Sequence, residues 1–295
     1  MCDLAGLNLC VLGGDLREVE LVRALVDHGA LVRSFGAPRE GMPEGVVLAP
    51  SPDEAARGAD ALILPLSGTD KEGNVRVSRE PVRLTREILA SLNRGAVVFA
   101  GSVCPSVAHE CESLGITVVK TGENDELAIL NSIPSAEGAI LMAIQATPIT
   151  IHGSNCMVLG MGRTGMTLAR MLLGIGATVW AVARKPKDRA RAFEMGFIPL
   201  DFPDLPGAIK DMDIVFNTVP HMVLDRTLIA VMKKTAAIID LASAPGGTDF
   251  ASARELGIHA ELAPGLPGKV APLTAGKILA RVVPALIAEA FAARE

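Results

Sequence analysis

Cys156-Met157-Val158-Leu159-Gly160-Met161-Gly162-Arg163-Thr164-Gly165 is the stretch that decides the fold. A short apolar run reads as a strand, a G-x-G-x-x-G spacing follows it, and an amphipathic stretch from about Arg163 to Leu173 reads as a helix. In that context Gly160 permits the tight turn, Gly162 lets a pyrophosphate approach the backbone, and Gly165 lets the helix pack on the sheet. The helix start at Arg163 and Thr164 then offers N–H groups to phosphate. A purely structural Gly-rich turn is the alternative reading, and the flanking strand and helix argue for a dinucleotide.

The same alternation runs outward in both directions, which makes the fold class α/β. Before the motif, strands are expected at Leu7–Leu12, Leu31–Phe35, Val46–Leu48, Ala61–Leu64, Ala96–Ala100 and Thr117–Val119, with helices near 16–28, 81–93 and 104–114. After it, strands are expected at Thr178–Ala181, Ile214–Asn217, Ala237–Asp240 and His259–Leu262. Val11-Leu12-Gly13-Gly14-Asp15 opens the first half as Val158-Leu159-Gly160-Met161-Gly162 opens the second. The expectation is two Rossmann-like doubly wound domains with parallel sheets, separated by a cleft. Residues 1–133 form the first domain, 134–150 a connecting helix begun by Pro134, and 151–271 the dinucleotide-binding domain. A C-terminal helix at 272–295, carrying Pro284, is expected to pack back toward the first domain.

Composition narrows the functions. The 295 residues are 49% hydrophobic and 21% charged, enough apolar surface for large cores. With 28 Lys and Arg against 33 Asp and Glu, the net charge of −5 disfavours nucleic acid as a partner. There is no tyrosine, so a Tyr-based proton donor of the short-chain dehydrogenase kind is excluded. Five cysteines and five histidines show no metal-ligand spacing, so no metal is expected. The first residues lack a basic stretch ahead of an apolar one. Apolar segments near 138–151 and 278–292 are broken by Gln145, Pro148, Arg281, Pro284 and Glu289, so no membrane role is expected and the location reads as cytoplasmic.

The second strand of the dinucleotide-binding half ends at Ala183-Arg184-Lys185, roughly 20 residues past the glycines, where an NAD site presents an acid to the ribose. Arg184 and Lys185 stand there instead and suit a 2′-phosphate, so NADP is expected over NAD. A solvated basic turn is the alternative. Asn217-Thr218-Val219-Pro220 and Leu241-Ala242 end two further strands and are expected to line the nicotinamide side. His221, at a strand end, and Cys104, ahead of Pro105, are left outside the site.

Several motifs occur in a fixed order: Gly13-Gly14-Asp15, Asn131-Ser132-Ile133-Pro134-Ser135-Ala136-Glu137-Gly138, Gly160–Gly165, Asp240-Leu241-Ala242-Ser243 with Pro245–Phe250, and Ala263–Pro272. With these, essentially the whole chain resembles the A-subunit family of dipicolinate synthase. The resemblance implies a family-specific N-terminal domain and an NAD(P)-binding Rossmann domain. It implies a part in making dipicolinate for the bacterial spore, in the mother-cell cytoplasm, from a dihydrodipicolinate-level precursor. The partner it implies is the flavoprotein-like B-subunit of dipicolinate synthase. A homo-oligomer is also expected. No segment here resembles that B-subunit, so the complete activity need not reside in this chain.

That reaction removes a hydride and a proton from a partly reduced ring bearing two carboxylates, and it calls for positioning and a proton acceptor. Glu137, at what reads as a helix start, is the candidate base, with Ser132 beside it. Its alternative role is a carboxylate that merely favours the helix dipole. Ser67, Thr69, Asn131 and Lys269 are the candidate substrate-binding residues, and Arg17, Lys71, Arg76 and Lys269 are the cations open to a dicarboxylate. Two other readings stand beside this one: an NADP-binding regulatory or scaffolding protein without its own chemistry, and an unrelated dehydrogenase of the alanine dehydrogenase type.

Overall fold

The computed structural model describes residues 3–77 and 80–292. Cys2 therefore lies outside the described residues. The chain divides into two compact units, one of residues 1–128 with 271–295 and one of residues 129–270.

The first unit holds strands β1 (Asn8–Leu12), β2 (Leu31–Phe35), β3 (Val47–Leu48), β4 (Ala61–Ile63), β5 (Asn74–Val75), β6 (Val82–Arg83), β7 (Val97–Ala100) and β8 (Thr117–Lys120). Its helices are α1 (Leu16–Asp27), α2 (Pro52–Ala56), α3 (Arg86–Ala90) and α4 (Pro105–Ser113), and the long α5 (Asp125–Ala146) begins here. Six strands form one parallel sheet in the order β3-β2-β1-β4-β7-β8, while β5 and β6 pair as a separate antiparallel hairpin. Cys10, Leu12, Leu62 and Val98 pack on one face against Ile88 of α3 and Val107 of α4. On α1, Leu21, Val22 and Leu25 are buried, and this helix lies along α12 (Pro272–Ala292). The approach is close at Gly276, where a Cβ would stand 2.8 Å from Glu20 Cβ.

The second unit repeats the plan with β9 (Asn155–Leu159), β10 (Thr178–Val182), β11 (Ile198–Leu200), β12 (Ile214–Asn217), β13 (Ala237–Asp240) and β14 (His259–Leu262). The helices are α6 (Arg163–Ile175), α7 (Pro186–Glu194), α8 (Leu205–Ala208), α9 (Arg226–Ala230), α10 (Phe250–Glu255) and α11 (Leu266–Val270). All six strands are parallel, in the order β11-β10-β9-β12-β13-β14. Strand β9 shows why such strands read as unbroken apolar runs: Cys156 and Val158 meet α5 and α6 on one face, while Met157 and Leu159 meet Ile209, Met212 and Ile229 on the other. Register then sets the site, because Val182, Leu159, Asn217 and Asp240 stand side by side at the carboxyl edge.

Four expectations need correction. The connecting helix does not start at Pro134. It starts at Asp125, where the Asn124 side chain accepts the Leu127 N–H at 2.8 Å, and Pro134 lies inside it. Hydroxyls of Ser132 and Ser135 bond the Ile129 and Asn131 carbonyls, on either side of the carbonyl that Pro134 leaves without its amide partner. The interruptions at Gln145 and Pro148 fall at its end, so by length and composition this one helix could cross a membrane, although 44% of its apolar window is packed inside the protein. The expected helix at 81–93 is strand β6 and the short α3, capped by Thr85. Strand β11 is not among the expected strands, since Pro199 sits inside it. An edge strand tolerates the missing N–H.

Candidate functional site

At the end of β9 the chain turns through Gly160, whose φ of +93° belongs to the left-handed region, and a Cβ there would stand 2.6 Å from Thr218 Oγ1. Gly162 is the N-cap of α6. It is exposed, and nothing lies within 4 Å of the Cβ it lacks. No side chain caps this helix, and its first intrahelical bond runs from Met166 N to Gly162 O, so the amides of Thr164 and Gly165 precede it. A Cβ on Gly165 would lie 1.9 Å from Gly160 O, which no side chain survives. The turn is thus a cradle with open space above Gly162 and uncapped N–H groups, and it fits the pyrophosphate of a dinucleotide.

The corresponding turn of the first unit is built differently. Asp15 caps α1 by accepting the Arg17 N–H, and Glu18 Oε2 accepts the Asp15 N–H at 2.7 Å. The Gly14 N–H goes to Arg76 O at 3.0 Å, and a Cβ on Gly13 would be 2.5 Å from that same oxygen. The chain's own backbone fills the place where a phosphate would sit.

Beyond β10, Arg184 and Lys185 are exposed and no carboxylate follows the strand directly. Arg189 holds this turn in place by donating to the carbonyls of Ala183 and Arg184, both at 2.8 Å, and by pairing with Asp201. Its charge is used internally; those of Arg184 and Lys185 face solvent.

The ends of β12 and β13 are tied by a buried polar knot centred on Asp240, a residue to which the sequence pattern alone assigns no role. Asp240 is fully buried, and its carboxylate accepts four hydrogen bonds: from Asn217 Nδ2, Ala242 N, Gly247 N and Thr248 Oγ1. These donors offset the cost of burying the charge. Asn217 also spans its own turn, accepting from Val219 N and donating to Val219 O, and Thr218 Oγ1 donates to Leu159 O at 2.8 Å. Asn217 is itself fully buried, so it shapes the loop and offers no side chain to a ligand. Val219 and Leu241 are half-buried, Pro220 is exposed and Ala242 is buried.

The residues expected to serve substrate and catalysis stand in different local settings. Ser67 is exposed, whereas Thr69 is buried and its hydroxyl accepts the Cys104 N–H at 2.8 Å. Asn131 is half-buried on α5. Ser132 is 1% exposed, its hydroxyl lodged between Ile129 O at 2.6 Å and Thr167 Oγ1 at 2.7 Å, so it ties α5 to α6 and is closed to a ligand. Glu137 is exposed in the middle of α5, not at a helix start. Five residues apart, Ser132 and Glu137 point roughly 140° away from each other around the helix and cannot act as a pair. Lys269 is exposed on α11.

Cys104 is the N-cap of α4, with its sulfur 3.2 Å from Ser106 Oγ. Burial pushes this thiol up, but hydrogen bonds from the Ser106 hydroxyl, the Val107 amide and the Thr69 hydroxyl outweigh that and hold it below the ordinary thiol range. Burial raises Cys10 to about 12 and Cys111 and Cys156 to about 11. Among the described residues no cluster of His, Cys, Asp or Glu could hold a metal ion.

Residues 8–121 match the family model for the N-terminal domain of the dipicolinate synthase A-subunit, and residues 137–246 match that of the D-isomer specific 2-hydroxyacid dehydrogenase, NAD binding domain. The second match supports a nicotinamide dinucleotide as cofactor and places the chain among NAD(P)-dependent oxidoreductases; the Gly160–Gly165 turn falls within the matched range. The dipicolinate synthase A-subunit of Bacillus subtilis (strain 168) is 43% identical over 97% of this chain and 97% of its own length. The crystal structure of the corresponding A-subunit from Bacillus halodurans is 40% identical, with a TM-score of 0.90 over 97% of this chain and 99% of that one. An L-alanine dehydrogenase, 16% identical with a TM-score of 0.65 over 96% of this chain and 89% of that one, shares the fold. On the strength of the whole-chain relationship, the chain belongs to the dipicolinate synthase A-subunit family.

Proposed function

We propose that this chain is the NADP-linked oxidoreductase component that forms dipicolinate, pyridine-2,6-dicarboxylate, from a dihydrodipicolinate-level precursor. The setting is the mother-cell cytoplasm of a sporulating bacterium, with the flavoprotein-like B-subunit of dipicolinate synthase as partner and the chain itself as a homo-oligomer. The observation that carries the reading is an uncapped Gly160–Gly165 cradle, open above Gly162, in a chain of this family.

Bound there, an oxidised nicotinamide supplies a hydride acceptor. The amides at the start of α6 hold the pyrophosphate, and Arg184 and Lys185 take the 2′-phosphate. The loops at 217–220 and 241–242, stiffened by Asp240, present a fixed wall to the nicotinamide. When a ring carbon gives up a hydride, a ring proton must leave as well for the product to become aromatic. Glu137, exposed and without an ion pair among the described residues, accepts that proton. Ser67 offers a hydroxyl to a substrate carboxylate.

The burial of Ser132 and the open setting of Glu137 favour a second reading, in which this chain presents NADP and its partner performs the proton chemistry. Titration of NADP+ and NAD+ against wild type and Arg184→Ala, with dipicolinate formation followed in the reconstituted pair, tests the first reading. Wild type should favour NADP+, and the variant should lose that preference by roughly 10-fold or more, as expected for a charge-assisted phosphate contact. Equal affinities in wild type would refute the NADP assignment, and no dipicolinate from the pair would refute the reaction.

A further inference from the structure

Of the four cations that the sequence leaves open to a dicarboxylate, the structure sets one apart. In a doubly wound sheet, ligands gather at the carboxyl ends of the strands, where the strand order reverses. In the first unit that point falls between β1 and β4. The segment around Val75 crosses there. Val75 bridges antiparallel to Thr69 in the loop after β4, and Arg76 O accepts the Gly14 N–H of the loop after β1. A Cβ on Gly36, after β2, would lie 2.7 Å from Val77. Backbone 75–77 is therefore gripped by three strand-end loops. The Arg76 side chain is exposed, and no hydrogen bond or ion pair engages its guanidinium among the described residues.

Of the four, two others belong to this unit, Arg17 and Lys71; Arg39, exposed after β2 and lining one cavity with Val77, is a further cation at this edge. Arg17 is 12% exposed and forks onto Asp15, both bonds at 2.9 Å, so its charge is matched within the protein. Lys71 stands on the outer turn that Asp70 organises. Asp15 also lies within electrostatic reach of Arg76, but its carboxylate is forked by Arg17, so among the described residues no hydrogen bond occupies the Arg76 fork. Ser67, two residues before Thr69 in the loop that pairs with Val75, adds an exposed hydroxyl.

We propose that Arg76 is the substrate-specificity residue of this family member, gripping one carboxylate of the planar dicarboxylate at the carboxyl edge of the first sheet. This rests on the dicarboxylate reading above. A guanidinium suits the role because its planar fork matches both carboxylate oxygens, which an ammonium cannot do.

Calorimetric titration of the full chain, loaded with NADP+, with pyridine-2,6-dicarboxylate, pyridine-2-carboxylate and unsubstituted pyridine tests it. Wild type should rank them in that order. Arg76→Met should weaken the dicarboxylate by roughly 10- to 100-fold, with thermal unfolding and NADP+ affinity unchanged. Arg76→Lys keeps the charge without the fork and should lie between the two; it also serves if the Met variant fails to fold. A dicarboxylate affinity unchanged in the folded variants would overturn the role of Arg76 and leave the dicarboxylate reading standing. Failure of wild type to distinguish the dicarboxylate from pyridine would overturn both.

Discussion

Glu18→Gln should change how the stability of this protein depends on pH. Glu18 is 1% exposed at the first turn of α1, with one oxygen accepting the Asp15 N–H and the other buried without a partner. Burial raises its pKa from 4.5 to about 7; the Asp15 amide and the Arg17 charge offset only part of that. The folded protein therefore keeps a proton that the unfolded chain releases between these two values. Stability falls as pH rises through that window and levels off above about pH 7. The full shift corresponds to about 3 kcal/mol, most of which is lost between pH 5 and pH 8.

Glutamine keeps the capping bond but puts an amide where the unpartnered oxygen was, a constant cost of about 1 to 3 kcal/mol. The difference between the two proteins at any single pH mixes that cost with the titration. The change in that difference between pH 5 and pH 8 contains the titration alone. Urea unfolding of both proteins across that range, at matched slopes, measures it. Wild type should lose about 2 to 3 kcal/mol relative to the variant as pH rises. Parallel curves would show that Glu18 is ionised throughout and that its surroundings hold it as a carboxylate.

Two further variants probe the dinucleotide cradle and the proton. Gly162→Val adds its side chain to open space, so it should cost only about 1 kcal/mol of helix-cap stability while abolishing cofactor binding; undiminished binding in a cooperatively folding variant would make the turn structural only. Glu137→Gln should retain cofactor affinity and lower dipicolinate turnover in the reconstituted pair by roughly 100-fold. Full turnover would remove Glu137 as base and favour the partner as the site of proton transfer.

The parallel strands could be read from the sequence because both their faces are covered, which turns β9, β12 and β13 into unbroken apolar runs. The cradle could be read for a related reason: a glycine required by backbone contact leaves a mark at a fixed spacing, and Gly165 is required by an oxygen 1.9 Å from its absent Cβ. The start of α5 is obscured because proline at a first turn and proline inside a helix look alike locally. Only the Asn124 cap, ten residues earlier, separates them.

Side-chain roles follow a different rule, since a hydroxyl or carboxylate is spelled the same whether it meets solvent or a neighbouring helix. Ser132 and Glu137 share one motif, yet helical geometry sends the first into the contact with Thr167 and the second to solvent. Asp240 and Arg76 show the converse. Each takes its role from groups distant in sequence: Asp240 from Asn217 and Thr248, Arg76 from Gly14 and the loop at Thr69. The contrast between the two glycine turns has the same origin. Gly13-Gly14 and Gly160–Gly165 both follow a first strand, but only the chain's return at Arg76 fills the first turn with backbone. That same return sets a cation on the carboxyl edge of the first sheet, so the closure of one turn to phosphate and the supply of a charge for a carboxylate have a single structural cause.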